Sequence, residues 1–107
     1  MKTPKEVEGL DYVCIRTYSA GVHFGYLKSC KPAEGGFYEV ELLHSRRLWS
    51  WAGANTLSDL SENGSKKPNE CKFTLPVSKI KLMAIEVIYV SENGKKQLDA
   101  IPVWELA

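Results

Sequence analysis

The sequence predicts an α+β domain: a mainly antiparallel sheet of about five strands with one or two short helices on one face. Three observations predict it. Stretches rich in β-branched and aromatic residues follow one another from residue 11 to residue 51, with only short turns between them. Helix-type stretches come later and singly, each behind a capping residue. The length of 107 residues is enough for one domain with one core.

The elements follow in order. Residues 1–10 read as a flexible leader and 11–107 as the domain. In "DYVCIRTY", Tyr12, Cys14 and Arg16 alternate with Val13, Ile15 and Thr17, the period of a strand. "SAG" gives a turn at Gly21, where a positive φ costs little. "VHFGYLKSC" is a second strand, and its Gly25 leaves a gap that marks a bulge or a close backbone approach. "KPAEGG" is a hairpin turn and "FYEVELLHSRRLWSW" a third strand, completing a meander. "ANTLSDLSENG" is a short helix capped by Asn55 or Thr56, with Asp59 in its first turn and Gly64 past its end. After a polar loop, "CKFTLPVSKIKLMAIEVIYV" resumes strand character, interrupted near Pro76 and central from Ile80 to Val90. "SENGKKQLDAI" is a second helix capped by Ser91, weakened by Gly94, and "PVWEL" a short edge strand. The echo between "SENGSKK" at 61–67 and "SENGKKQ" at 91–97 reads as the same punctuation used twice, because the flanks differ.

Composition narrows the function classes. A formal net charge of +1 supplies no global field for nucleic acid, so specific nucleic-acid binding is not expected. No apolar run approaches the roughly 20 residues of a membrane span, and the polar start lacks a secretory h-region; a cytoplasmic protein is expected. Cys14, Cys30 and Cys71 are odd in number and widely spaced, which suits reduced thiols rather than disulfides or a metal site, and no cofactor is expected. A Cys14–His23 couple lacks an orienting group and an oxyanion site, and Glu39, Glu41, Glu86 and Glu92 are scattered. No nucleophile, metal set or acid–base pair stands out, so no catalytic residue is assigned and a non-enzymatic protein is expected. Three Trp, five Tyr and three Phe exceed what so small a core readily encloses, which points to rings at an interface and a homo-oligomer.

One stretch carries binding chemistry: "RRLWSWAGA" at 46–54. On a strand, Arg46, Leu48 and Ser50 point one way and Arg47, Trp49 and Trp51 the other. A guanidinium and two indoles on one face hold a flat anionic ligand by stacking and paired hydrogen bonds. Arg16 and Tyr18 from the first strand, and the helix start near Asn55, are candidates to join them. A second reading stays open: both tryptophans form the core under the helix, and the arginines reach over them into solvent.

The segments "YVCIRTYSAGVHFGYL", "RRLWSWAGANTLSDLS", "PNECKFTLPVSKIKLMAIEVI" and "DAIPVW" resemble a family of short uncharacterised proteins of tailed bacteriophages. The shared pattern is an Arg-Thr-x-Ser-Ala-Gly-Val strand, Arg-Arg-x-Trp-x-Trp-x-Gly-Ala, a short helix and a closing Val-Trp, over residues 12–104. The polar loop around "SENGSKKP" and the leader depart from it. The resemblance implies no activity of its own. It implies a setting, an infected bacterial cell, in which small proteins without enzymatic motifs act on the host. The expected function is therefore an accessory protein that sequesters a host nucleotide signal of the cyclic or ADP-ribose type. The alternative is a protein–protein inhibitor of a host defence or replication factor.

Overall fold

The computed structural model describes residues 9–104. Most of the leader expected over 1–10 therefore lies outside the described residues, although Leu10 already packs against the core. The strands are β1 (Tyr12–Thr17), β2 (Val22–Pro32), β3 (Tyr38–Ser50), β4 (Lys72–Phe73) and β5 (Val77–Tyr89). The helices are α1 (Leu57–Asn63) and α2 (Glu92–Asp99), so the chain is α+β with an antiparallel five-stranded sheet, as its patterning predicts. Pro76 falls between β4 and β5, where its missing N–H costs no ladder bond. The closing edge strand is reduced to one parallel bridge between Val103 and Phe73.

The sheet closes on itself. β1 pairs with both β2 and β5, β2 also pairs with β3, and β3 pairs with β5. The ring buries one face of β1 and the helices cover the other, which is why every residue from Tyr12 to Ile15 is buried. Val13 and Ile15 join Val40, Leu42, Leu82 and Ala84 inside the ring. Tyr12 and Cys14 join Phe24, Tyr26, Leu48, Phe73, Leu60 and Leu98 between the ring and the two helices. Closure also limits the free edges that an oligomer would use. β2 pairs with β1 only over Val22–Tyr26, and the segment beyond carries Lys28, Lys31 and Pro32, residues that discourage edge pairing.

The helices are held by local chemistry. The Thr56 hydroxyl accepts the Asp59 N–H at 3.0 Å, and the Asp59 carboxylate accepts the Asn55 N–H at 3.2 Å, a reciprocal cap. Ser91 caps α2 by accepting the Gly94 N–H at 2.9 Å. Gly94 is buried, and a Cβ there would run into the Ser61 carbonyl, so the glycine lets α2 lie against the end of α1. No helix among the described residues is long and apolar enough to cross a membrane.

Candidate functional site

A bulge in β3 decides which way the arginines point. Phe24 pairs with Arg46 but Tyr26 pairs with Leu43, so β3 carries one extra residue opposite Gly25. His44, inside the bulge, has φ 50°. Before the bulge the even-numbered residues Val40 and Leu42 fill the ring; after it the even-numbered Arg46 and Leu48 face the helices. An insertion of one residue moves every following side chain to the other face.

Arg46 is fully buried. Its guanidinium donates to the Ile101 carbonyl at 2.7 Å and the Leu98 carbonyl at 2.9 Å, and lies 4.0 Å from the centre of the Phe73 ring. Burial lowers its pKa, opposed by Tyr12 and Asp99 nearby. The same burial pushes the Tyr12 phenol well above its ordinary value. Arg46 is thus a structural cation at the C-terminal end of α2, where the carbonyls make the potential negative.

Arg47 is exposed on the opposite face, across from His23 of β2. With His23, Ser45, Thr74, Val77 and Ile80 it lines a cavity of about 230 Å³ at the mouth of the ring. The stem of Arg47 passes over Gly21, where a Cβ would stand 3.7 Å from Nε. His23 is buried, its Nε2 within 2.8 Å of the Ala20 carbonyl, and burial lowers its pKa. Among the described residues the Arg47 side chain makes no ion pair.

Trp49 shares the outward face with Arg47 and is 51% exposed. Lys72 of β4 lies between two indoles, its Nζ 5.0 Å from the centre of Trp49 and 4.5 Å from that of Trp104. Leu75 and Val77 are exposed in and just after the β4–β5 loop. Arg47, Trp49, Lys72 and Trp104 therefore interleave cations with accessible rings on one side of the molecule.

The other expected site residues do not join them. Trp51 lies past the end of β3 and packs, half-buried, on the core beneath the helices, so the face expected to hold Arg47, Trp49 and Trp51 keeps only its first two members. The core reading also needs correction, because Leu48 and Arg46, not Trp49, occupy the buried face. Arg16 is engaged with Glu86 at 3.0 Å and lies on the face of β1 opposite that of Ile15, the partner of His23. Tyr18 projects from the β1–β2 turn, 88% exposed, and is not among the residues lining the cavity. Asn55 precedes a seven-residue helix whose first turn is already answered by Asp59. Ser45, Thr74, Lys72 and Trp104 are additions that sequence patterning missed; the gap at Gly25 was the one signal pointing to the bulge that positions Ser45.

Cys14 and His23 stand on opposite faces, because Cys14 pairs with Phe24 and His23 with Ile15. Burial pushes the Cys14 thiol up to about 12, so it is protonated at neutral pH. No group of three His, Cys, Asp or Glu suited to a metal ion occurs among the described residues.

Residues 10–98 match the model of a domain of unknown function, DUF6948, and the chain belongs to that family. No curated protein matches it. No solved structure matches it either.

Proposed function

We propose that this member of the DUF6948 family is a bacteriophage protein that acts in the host cytoplasm by binding rather than by catalysis, and that it sequesters a host nucleotide. The observation that carries this reading is the pairing of Arg47 and Trp49 on one accessible face beside a cavity. Two residues along a strand span about 7 Å. That separation lets a guanidinium take a phosphate while an indole stacks on the attached ring system. The protonated Cys14 and its separation from His23 support a non-catalytic role.

The test is calorimetry against a panel of cyclic nucleotides, ADP-ribose-type nucleotides and nucleoside 5′-phosphates. Binding by the native chain is expected, and Arg47→Ala should lose charge-assisted hydrogen bonds of about 1.5–3 kcal/mol, which is at least tenfold in affinity. An unchanged affinity in Arg47→Ala, or no binding across the panel, sinks the reading.

A second reading has its own support. Exposed Trp49 and Trp104 flank Lys72, and Leu75 and Val77 are exposed in and just after the β4–β5 loop, a composition that suits a protein interface. This favours a protein–protein inhibitor of a host factor, or a second copy of the chain, as occupant. Trp104→Ala weakening a partner complex while leaving nucleotide binding intact would separate the two.

A further inference from the structure

The cavity beside Arg47 is smaller than the site of a whole ligand. Its volume of about 230 Å³ lies below the roughly 300–1,000 Å³ of pockets that enclose entire small molecules. Val77 and Ile80 give it apolar walls, while Arg47, Ser45, His23 and Thr74 bring polar groups. Two of these are committed. The Thr74 hydroxyl accepts the Arg47 backbone N–H at 3.1 Å and donates to the Leu75 carbonyl at 3.3 Å. The His23 Nε2 is held by Ala20. Ser45 is different. It is 1% exposed, and among the described residues its hydroxyl has no hydrogen-bond partner. A buried hydroxyl left unbonded is costly and rare in a native protein.

We propose that this cavity is a subsite for a terminal phosphate group, with the Arg47 guanidinium pairing its oxygens at the mouth and the Ser45 hydroxyl donating from the wall. The proposal deepens the nucleotide reading above and rests on it for the rest of the ligand. A phosphate monoester hangs by one ester bond and keeps three oxygens to meet donors inside a small cavity. A cyclic diester has two oxygens tied to the sugar, so the sugar would have to enter as well. The class expected is thus a nucleotide ending in a free phosphate.

His23 and His44 are the two histidines of the chain, and only His23 lines the cavity. Their ring resonances therefore report occupancy with an internal reference. The probes are inorganic phosphate, 5′-AMP, 3′,5′-cyclic AMP and adenosine. The proposal expects phosphate and 5′-AMP to shift the His23 resonances and leave those of His44 in place. It expects 5′-AMP to bind at least about tenfold more tightly than the cyclic form or adenosine, and Ser45→Ala to remove about tenfold of that affinity. Equal binding of 5′-AMP and 3′,5′-cyclic AMP, both tighter than adenosine, overturns the terminal-phosphate subsite while the nucleotide reading stands. A phosphate-induced shift at His23 with no nucleotide binding keeps the subsite and sinks the nucleotide reading. No shift with phosphate and no effect of Ser45→Ala overturns the proposal.

Discussion

Arg46 donates to the Leu98 carbonyl at 2.9 Å, tying the middle of β3 to the last turn of a helix 52 residues further along the chain. A second donation, to Ile101, fixes the segment that leaves the helix. Removing the guanidinium strands the buried Ile101 carbonyl, at roughly 1–3 kcal/mol, takes one of two donors from the Leu98 carbonyl, which keeps the Ile101 N–H at 3.0 Å, and opens a cavity beside Phe73. Arg46→Ala should therefore cost about 3–5 kcal/mol of folding stability. Urea denaturation reads this directly, and a loss under about 1 kcal/mol would mean that the helix end is held by something else.

The bulge makes its own prediction. A Cβ on Gly25 would stand 3.0 Å from the Ser45 Cα and 3.2 Å from the Leu43 carbonyl, both on the neighbouring strand. Backbone gives way reluctantly, so Gly25→Ala should destabilise by about 1–3 kcal/mol. Gly94→Ala should do at least as much, since its Cβ meets the Ser61 carbonyl. Melting temperatures of the two variants check both; an unshifted Gly25→Ala would show that the bulge relaxes freely.

These contacts mark where the sequence was legible and where it was not. The alternation of Tyr12 and Cys14 against Val13 and Ile15 announced β1, and Thr56 and Ser91 announced the helix starts, because period and capping are local properties. Closure of the ring was hidden, since it depends on which long strand halves meet. Gly94 looked like a weakness of α2, whereas it is the point of contact with α1. The repeated "SENG" segments looked like coincidence, yet the Ser91 N–H donates to the Ser61 carbonyl at 3.1 Å, so the two touch. Arg46 was the larger surprise. An arginine is almost never fully buried unless paired, and its partners here are carbonyls remote in sequence. The bulge at His44 then exchanges the faces, and no glycine in β3 signals it. Of the six expected residues, Arg47 and Trp49 still share a face because they follow the bulge together.

The three tryptophans should behave differently. Trp51 packs on the core, so Trp51→Ala should cost about 2–4 kcal/mol. Trp49 and Trp104 are exposed and flank Lys72, so either change to Ala forfeits about 0.5–1 kcal/mol of cation–π attraction and little packing. Denaturation midpoints give the order, and acrylamide should quench Trp49 and Trp104 emission before that of Trp51. Equal costs at Trp49 and Trp51 would contradict the placement of the two rings.

His23 gives the fold a pH dependence. Burial disfavours its imidazolium, and the nearby Arg47 charge adds to that, while the bond to Ala20 opposes it. The folded chain therefore takes up this proton at lower pH than the unfolded chain, whose histidines titrate near 6.5. In the window between, the unfolded state holds more protons, so stability rises with pH. The contribution is complete above about pH 6.5 and is lost as pH falls below it toward the folded pKa. His23→Gln leaves a donor for the Ala20 carbonyl but has nothing to titrate. Urea midpoints followed from about pH 7.5 to pH 5 should fall for the native chain and flatten for this variant, apart from whatever the carboxylates add to both. Asp59 is one such carboxylate: hydrogen bonds from Asn63 and Asn55 lower its pKa, so its share is present above the unfolded carboxylate value and is lost only at more acidic pH. Parallel pH profiles for native and His23→Gln chains would mean that the His23 ring is not held neutral by its surroundings.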